Sequence, residues 1–160
     1  MEYIKVIVFS DSHGRTDEMC RVLEREREAA MFIHLGDCTR DAQFVSSMFP
    51  TLPARIVSGN NDYNSTDPQE IVFDLCGKKI MLAHGHQYGV KLSCNKIAAK
   101  AKSLRVDLVL FGHTHMAYYN YADGIQLLNP GSVSGAYVLR RTYASVDISE
   151  SGILCTLLKV

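Results

Sequence analysis

Five short runs in this chain read as strands, and each is followed at once by residues that can hold a metal or move a proton. Ile4 to Phe9 leads into Ser10-Asp11-Ser12-His13, and Met31 to Leu35 into Gly36-Asp37. Ala54 to Val57 leads into Ser58-Gly59-Asn60-Asn61-Asp62, Lys78 to Ala83 into His84-Gly85-His86, and Val106 to Phe111 into Gly112-His113-Thr114-His115. Nearly all-apolar runs of this length fit strands buried on both faces. In open α/β sheets, sites form outside the carboxyl ends of the strands. The pattern therefore calls for strands whose carboxyl ends gather, so that segments far apart in sequence supply one site.

The segments between these runs alternate with them. Thr16-Asp17-Glu18 has the cap candidate and first-turn acids of a helix start, and Met19, Val22 and Leu23 form its apolar stripe. The charged stretch Glu24 to Glu28 reads as a solvated helix face. A second, short helix carries Phe44, Val45, Met48 and Phe49 on one side, with Pro50 as its stop. Ser58 to Thr66 is a loop, and Ser93 opens a helix through about Leu104. Glu70 to Leu75 and Lys78 to Ala83 are strands joined at Cys76-Gly77. Asp123-Gly124 marks a hairpin between Ala117–Ala122 and Ile125–Leu128, and Ser151-Gly152 marks another near the end. A first half of alternating strand and helix, with a strand-rich second half, gives an α/β sandwich of mixed sheets with helices outside.

The totals narrow the class. A length of 160 residues, 47% apolar, suits one domain, 1–160. Seventeen basic and 17 acidic residues leave a net charge of zero, so no extended nucleic-acid surface is indicated. No run is long enough for a membrane span, and the first residues lack the features of a signal peptide, so a cytoplasmic protein is expected. The five cysteines (Cys20, Cys38, Cys76, Cys94, Cys155) are odd in number and include no Cys-x-x-Cys, which argues for free thiols. Cys38 stands out because it follows Asp37.

The candidate ligands are Asp11, His13, Asp37, Asn60, His84, His113 and His115. Mixed imidazole, carboxylate and amide donors suit manganese, iron, zinc, nickel or cobalt better than calcium or magnesium. Seven ligands exceed the need of one ion with an open position and suffice for two. Two ions roughly 3.5–4 Å apart activate a water and clamp phosphoryl oxygens. His34, the one histidine outside these motifs, lies mid-strand and reads as a packed core residue.

The motif order resembles that of the calcineurin-like metallophosphoesterase superfamily, in particular its small YfcE/MJ0936-like phosphodiesterase branch. Asn129-Pro130-Gly131-Ser132 and the segment from Arg141 to Asp147 also match. The resemblance implies a four-layer α/β/β/α sandwich with the metal site at the carboxyl ends of strands. It also implies two divalent metal ions, most simply manganese. Asp11, His13 and His115 would hold the first, Asn60, His84 and His113 the second, and Asp37 would bridge them. The implied activity is hydrolysis of a small phosphodiester by a metal-bound hydroxide, and relatives often form homo-oligomers.

Two departures from the superfamily pattern matter. Asn61 stands where many phosphomonoesterases have a histidine taken as general acid, which disfavours monoesters with poor leaving groups; general acid catalysis is worth about 10²–10⁴-fold. Asp62 then loses the role of orienting that histidine and is left to cap the turn. Arg40 stands where wider relatives often have aspartate, either to contact phosphate or to begin a helix. His86 is the remaining candidate for proton donation or phosphate contact. The alternatives to a diesterase are a non-catalytic protein-binding scaffold like Vps29, and a phosphomonoesterase.

Overall fold

The structure is a computed structural model and describes residues 2–160. Its elements run β1 (Ile4–Phe9), α1 (Thr16–Arg25), β2 (Ala29–His34), α2 (Thr39–Met48), β3 (Ala54–Ile56), β4 (Glu70–Leu75), β5 (Lys78–Ala83), α3 (Asn95–Leu104), β6 (Leu108–Phe111), β7 (Ala117–Ala122), β8 (Ile125–Pro130), β9 (Thr142–Ser149) and β10 (Gly152–Lys159). Two mixed five-stranded sheets form, in the orders β10-β9-β1-β2-β3 and β4-β5-β6-β8-β7. In the first, β1, β2 and β3 are parallel, while β9 and β10 return antiparallel. In the second, β5, β6 and β8 are parallel, with antiparallel β4 and β7 at the edges.

Strand alternation sorts the side chains into layers. In β1, Val6 and Val8 face the second sheet, where they meet Ile80, Leu82, Leu108, Leu110 and Leu128. Ile7 and Phe9, one residue out of phase, face Met19, Val22 and Val45 of α1 and α2. In β5 and β6, Met81, Ala83, Val109 and Phe111 face Ile97 and Ala101 of α3. Both faces of β1, β2, β5 and β6 are thus covered, which is why those runs are almost wholly apolar. The expected sandwich of two mixed sheets between helices is the observed one.

Two local expectations are corrected. Phe44 and Met48 do not face the core with Val45; they are 51% and 59% exposed, and Ala42 takes the inner position instead. The stretch Glu24 to Glu28 is not one solvated helix face. The helix ends at Arg25, and Glu26 turns inward to accept a hydrogen bond from the Tyr143 hydroxyl (2.7 Å) and pair with Lys5 (3.6 Å). No helix among the described residues is long and apolar enough to cross a membrane.

Candidate metal centre

The carboxyl ends of β1, β2, β3, β5 and β6 meet at one place, and short backbone bonds lock their loops together. Asp11 N–H donates to the Gly36 carbonyl and Gly112 N–H to that of His84. Ser132 Oγ donates to the Asp11 carbonyl (2.8 Å), and Asn129 Nδ2 to the Gly112 carbonyl (3.0 Å). The Asn-Pro-Gly-Ser segment therefore ties the loops after β1 and β6. The loops touch so closely that side chains are excluded. A Cβ at Gly59 would stand 2.2 Å from Asp37 Oδ1, and one at Gly112 would stand 2.0 Å from Ser10 Oγ.

Four candidate ligands, Asp11, His13, Asp37 and His115, bring one donor atom each within 4.8 Å of one another. His84 adjoins them, with Nε2 3.4 Å from Asp37 Oδ1 and 3.9 Å from Asp11 Oδ1. His113 Nδ1 lies 3.2 Å from His84 Nε2. Asn60 lines the same small cavity, of about 240 Å³, together with His13, Asp37, His113 and His115. The structure thus gathers all seven residues.

Their orientation is set by neighbours. Asp11 is fully buried; its Oδ2 accepts from Ser10 Oγ (2.5 Å) and His113 N–H (3.1 Å), while Oδ1 is buried with no hydrogen-bond partner. Both Asp37 oxygens are held by Asn61, Oδ1 by its N–H (3.1 Å) and Oδ2 by Nδ2 (2.8 Å). His84 Nδ1 donates to the Leu35 carbonyl (2.8 Å) and His115 Nδ1 to that of Ala136 (2.9 Å). These bonds fix the tautomers and leave each Nε2 lone pair aimed at the carboxylates, the usual arrangement of metal-binding histidines. An orphaned carboxylate oxygen facing imidazole lone pairs calls for positive charge, and the donor set fits a divalent cation.

Titration follows the same geometry. Burial would raise the Asp11 carboxyl, but the close approach of His115 (Nε2 to Oδ1, 3.2 Å), the hydrogen bond from Ser10 and the neighbouring His84 imidazole hold it below its ordinary value. Proximity to the Asp11 carboxylate raises His115 despite its partial burial. Burial, together with the neighbouring His84 and Lys91, pushes His113 down to about 4.

The backbone is strained where the ligands sit. Asp11, His13, Asp37, His113 and His115 all have positive φ, between 42° and 70°. For a residue other than glycine this costs on the order of 1 kcal/mol each, although Asp and His tolerate it better than most.

One carboxylate offsets much of that strain. Asp62 accepts four backbone N–H bonds: Asp37 (2.9 Å) and Gly59 (2.7 Å) on Oδ2, Cys38 (2.8 Å) and Thr39 (3.0 Å) on Oδ1. The expected role of merely capping a turn is therefore corrected. Asp62 joins the loops after β2 and β3 and holds the first turn of α2. A second such knot surrounds His34, which is buried as expected but not inert. Gly36 N–H donates to its Nδ1 (3.1 Å), so Nε2–H donates to Ser12 Oγ (2.8 Å), which in turn donates to Asp41 (2.7 Å).

The remaining candidates lie at the margin. The His86 ring is 5.4 Å from that of His84 and 6.1 Å from that of His113, yet it does not line the cavity with the ligands. Its Nδ1 is buried without a partner, and burial lowers its pKa. Arg40 is exposed on the first turn of α2, outside this cavity. Lys91 and Tyr137, which no motif singled out, do line it. Cys38 Sγ lies 3.8 Å from His13 Nδ1.

Comparison with known proteins bears on the family and the fold. Residues 4–151 match the model of the calcineurin-like phosphoesterase superfamily domain. The probable metallophosphoesterase YsnB of Bacillus subtilis is 32% identical over 150 residues, covering 92% of this chain and 86% of that protein. Phosphodiesterase MJ0936 of Methanocaldococcus jannaschii is 26% identical, covering 82% and 86%. A conserved predicted phosphoesterase from Streptococcus pneumoniae superposes with a TM-score of 0.84 at 28% identity, covering 99% and 91%. Zinc-bound Vps29 from Entamoeba histolytica shares the fold, with a TM-score of 0.76 at 22% identity over 98% of this chain and 99% of its own.

Two predictions follow from the knots. Asp62→Ala leaves four amides without their acceptor; we expect a loss of at least about 3 kcal/mol in urea unfolding and a drop of about ten-fold or more in divalent-metal affinity by calorimetry. Wild-type stability and affinity in that variant would refute the clamp. Burial pushes His34 down to about 4 in the fold, so the unfolded chain takes up a proton first, near 6.5. Stability from this group is complete above pH 6.5 and declines by roughly 3 kcal/mol as pH falls to about 4. Measured with chelator present, His34→Gln should flatten the decline; parallel curves for the two proteins would contradict it.

Proposed function

The chain belongs to the calcineurin-like phosphoesterase superfamily, and we propose that it is a metal-dependent phosphodiesterase with a dinuclear centre. The observation that carries this reading is the orphaned Oδ1 of Asp11, buried among imidazole lone pairs beside a second buried carboxylate. Asp11, His13 and His115 would hold one ion, Asn60, His84 and His113 the other, with Asp37 between them. Two divalent ions supply Lewis acidity toward phosphoryl oxygens and make a nucleophile available from water near pH 7. Manganese is the simplest choice for such donors, with nickel, zinc, iron or cobalt also suited.

The chain's own residues shape the rest. Asn61 keeps Asp37 turned toward the donors through two hydrogen bonds, but its amide has no proton to give a leaving group. Burial lowers the His86 pKa, which disfavours the protonated form that a leaving group would need. Both features support diesters with good leaving groups over monoesters with poor ones. Lys91 faces the cavity with a positive charge suited to an anionic phosphoryl group. The diester reading also gains support from the relative named a phosphodiesterase.

A scaffold role like that of Vps29 is the second reading. Metal binding alone does not separate the two, since the Entamoeba Vps29 was solved with zinc. Turnover does. After chelation, returning manganese should restore cleavage of bis-p-nitrophenyl phosphate, faster than that of p-nitrophenyl phosphate. Asp37→Asn should lower the rate at least about 100-fold. A folded protein inactive with every metal would leave the scaffold reading, and faster monoester cleavage would make it a monoesterase.

A further inference from the structure

Beside the metal centre lies a larger groove, of about 870 Å³, which shares only His13 with the candidate ligands. It begins at His13 and Asn61, so its inner end is the centre itself. One wall is α2, carrying Arg40 and Phe44; the other is the loop after β3, carrying Tyr63 and Asn64. Both rings are held out in water, Tyr63 at 86% and Phe44 at 51% exposure. Arg40 is exposed, with no ion-pair or hydrogen-bond partner for its guanidinium among the described residues.

Exposed aromatic rings alone do not identify a site, but these walls are fixed. Asp62 binds the N–H groups of Cys38 and Thr39 at the start of α2 and that of Gly59 at the start of the loop. Farther along, Thr39 Oγ1 donates to Ser65 Oγ (3.3 Å), and Gln43 Nε2 to Asp67 Oδ2 (3.1 Å). Ser65 Oγ also donates to Asp67 Oδ2 (2.9 Å). Three cross-links thus hold two aromatic residues and a free cation around a groove with polar walls, in contact with the phosphoester centre.

We propose that this groove is a nucleoside subsite. A base ring lies against Tyr63 and Phe44, Arg40 faces the anionic ester, and the phosphorus sits at the metal centre. The proposal rests on the phosphodiesterase reading and specifies its substrate class as a short nucleotide diester. The volume falls in the range of about 300–1,000 Å³ usual for small-ligand pockets. A net charge of zero argues against a long nucleic acid as substrate and favours a single nucleotide or a short one. Stacking on aromatics provides affinity for any base, so discrimination among bases is expected to be weak.

Calorimetry on manganese-loaded protein tests this, using adenosine 5′-monophosphate against ribose 5-phosphate, which lacks only the base. The base should strengthen binding about ten-fold. Tyr63→Ala with Phe44→Ala should bring the two ligands close to equal affinity, and Arg40→Ala should weaken both. Equal affinities in the wild-type protein, no measurable binding of adenosine monophosphate at millimolar concentration, or a preference that survives the double substitution would each overturn the subsite. The readout needs no turnover. Diester cleavage with equal affinities would leave the phosphodiesterase reading standing and remove the subsite. A base preference abolished by the double substitution, without diester cleavage, would keep the groove and remove that reading.

Discussion

Asp11 and Asp37 are buried to 0% and 2% exposure beside one another, and a low-dielectric pocket cannot hold two such charges without positive charge to compensate. The surrounding architecture answers that constraint. The nearest ionisable nitrogens are imidazoles, and two of them, His84 and His115, are locked by backbone carbonyls so that their lone pairs face the carboxylates. Protons can supply the compensation in the metal-free chain, which is why His115 is raised by its closeness to Asp11. A divalent cation supplies it at neutral pH without relying on protons. Metal and protons therefore compete for the same atoms, and affinity for metal is coupled to pH.

Holding those groups in place requires unfavourable backbone. The left-handed conformations at Asp11, Asp37 and His113 persist because the loops are over-determined by hydrogen bonds from both sheets. Asp62 is central to this, since one carboxylate organises the backbone on both sides of the bridging candidate Asp37. The same carboxylate fixes the walls of the neighbouring groove. Rigidity of the centre and shape of the groove thus depend on one residue that is not among the candidate metal ligands.

Much of this was legible in the sequence because the relevant signals are local. An apolar run followed by Gly-Asp or Gly-His-Thr-His reports a buried strand and what stands at its end, and the sheets assemble those ends accordingly. Other features depend on contacts between segments and leave no local trace. Lys91 and Tyr137 reach the cavity from loops without a motif. Asp62 has the composition of a turn residue, and only the meeting of the β2 and β3 loops shows its four donors. Phe44 has the spacing of a core residue, yet α2 is rotated so that Ala42 and Val45 face inward. His34 was readable as buried, while its tautomer required knowing that the Gly36 N–H points at Nδ1.

The most direct test of the account is metal stoichiometry. Chelator-stripped protein would be titrated with manganese at pH 7.5 by calorimetry, with bound metal counted by elemental analysis after gel filtration. Two ions per chain are expected, falling to one in His115→Ala and in Asn60→Ala, each of which removes a proposed ligand of a different ion. A single ion in the wild-type protein, or two retained in both variants, would contradict the dinuclear centre.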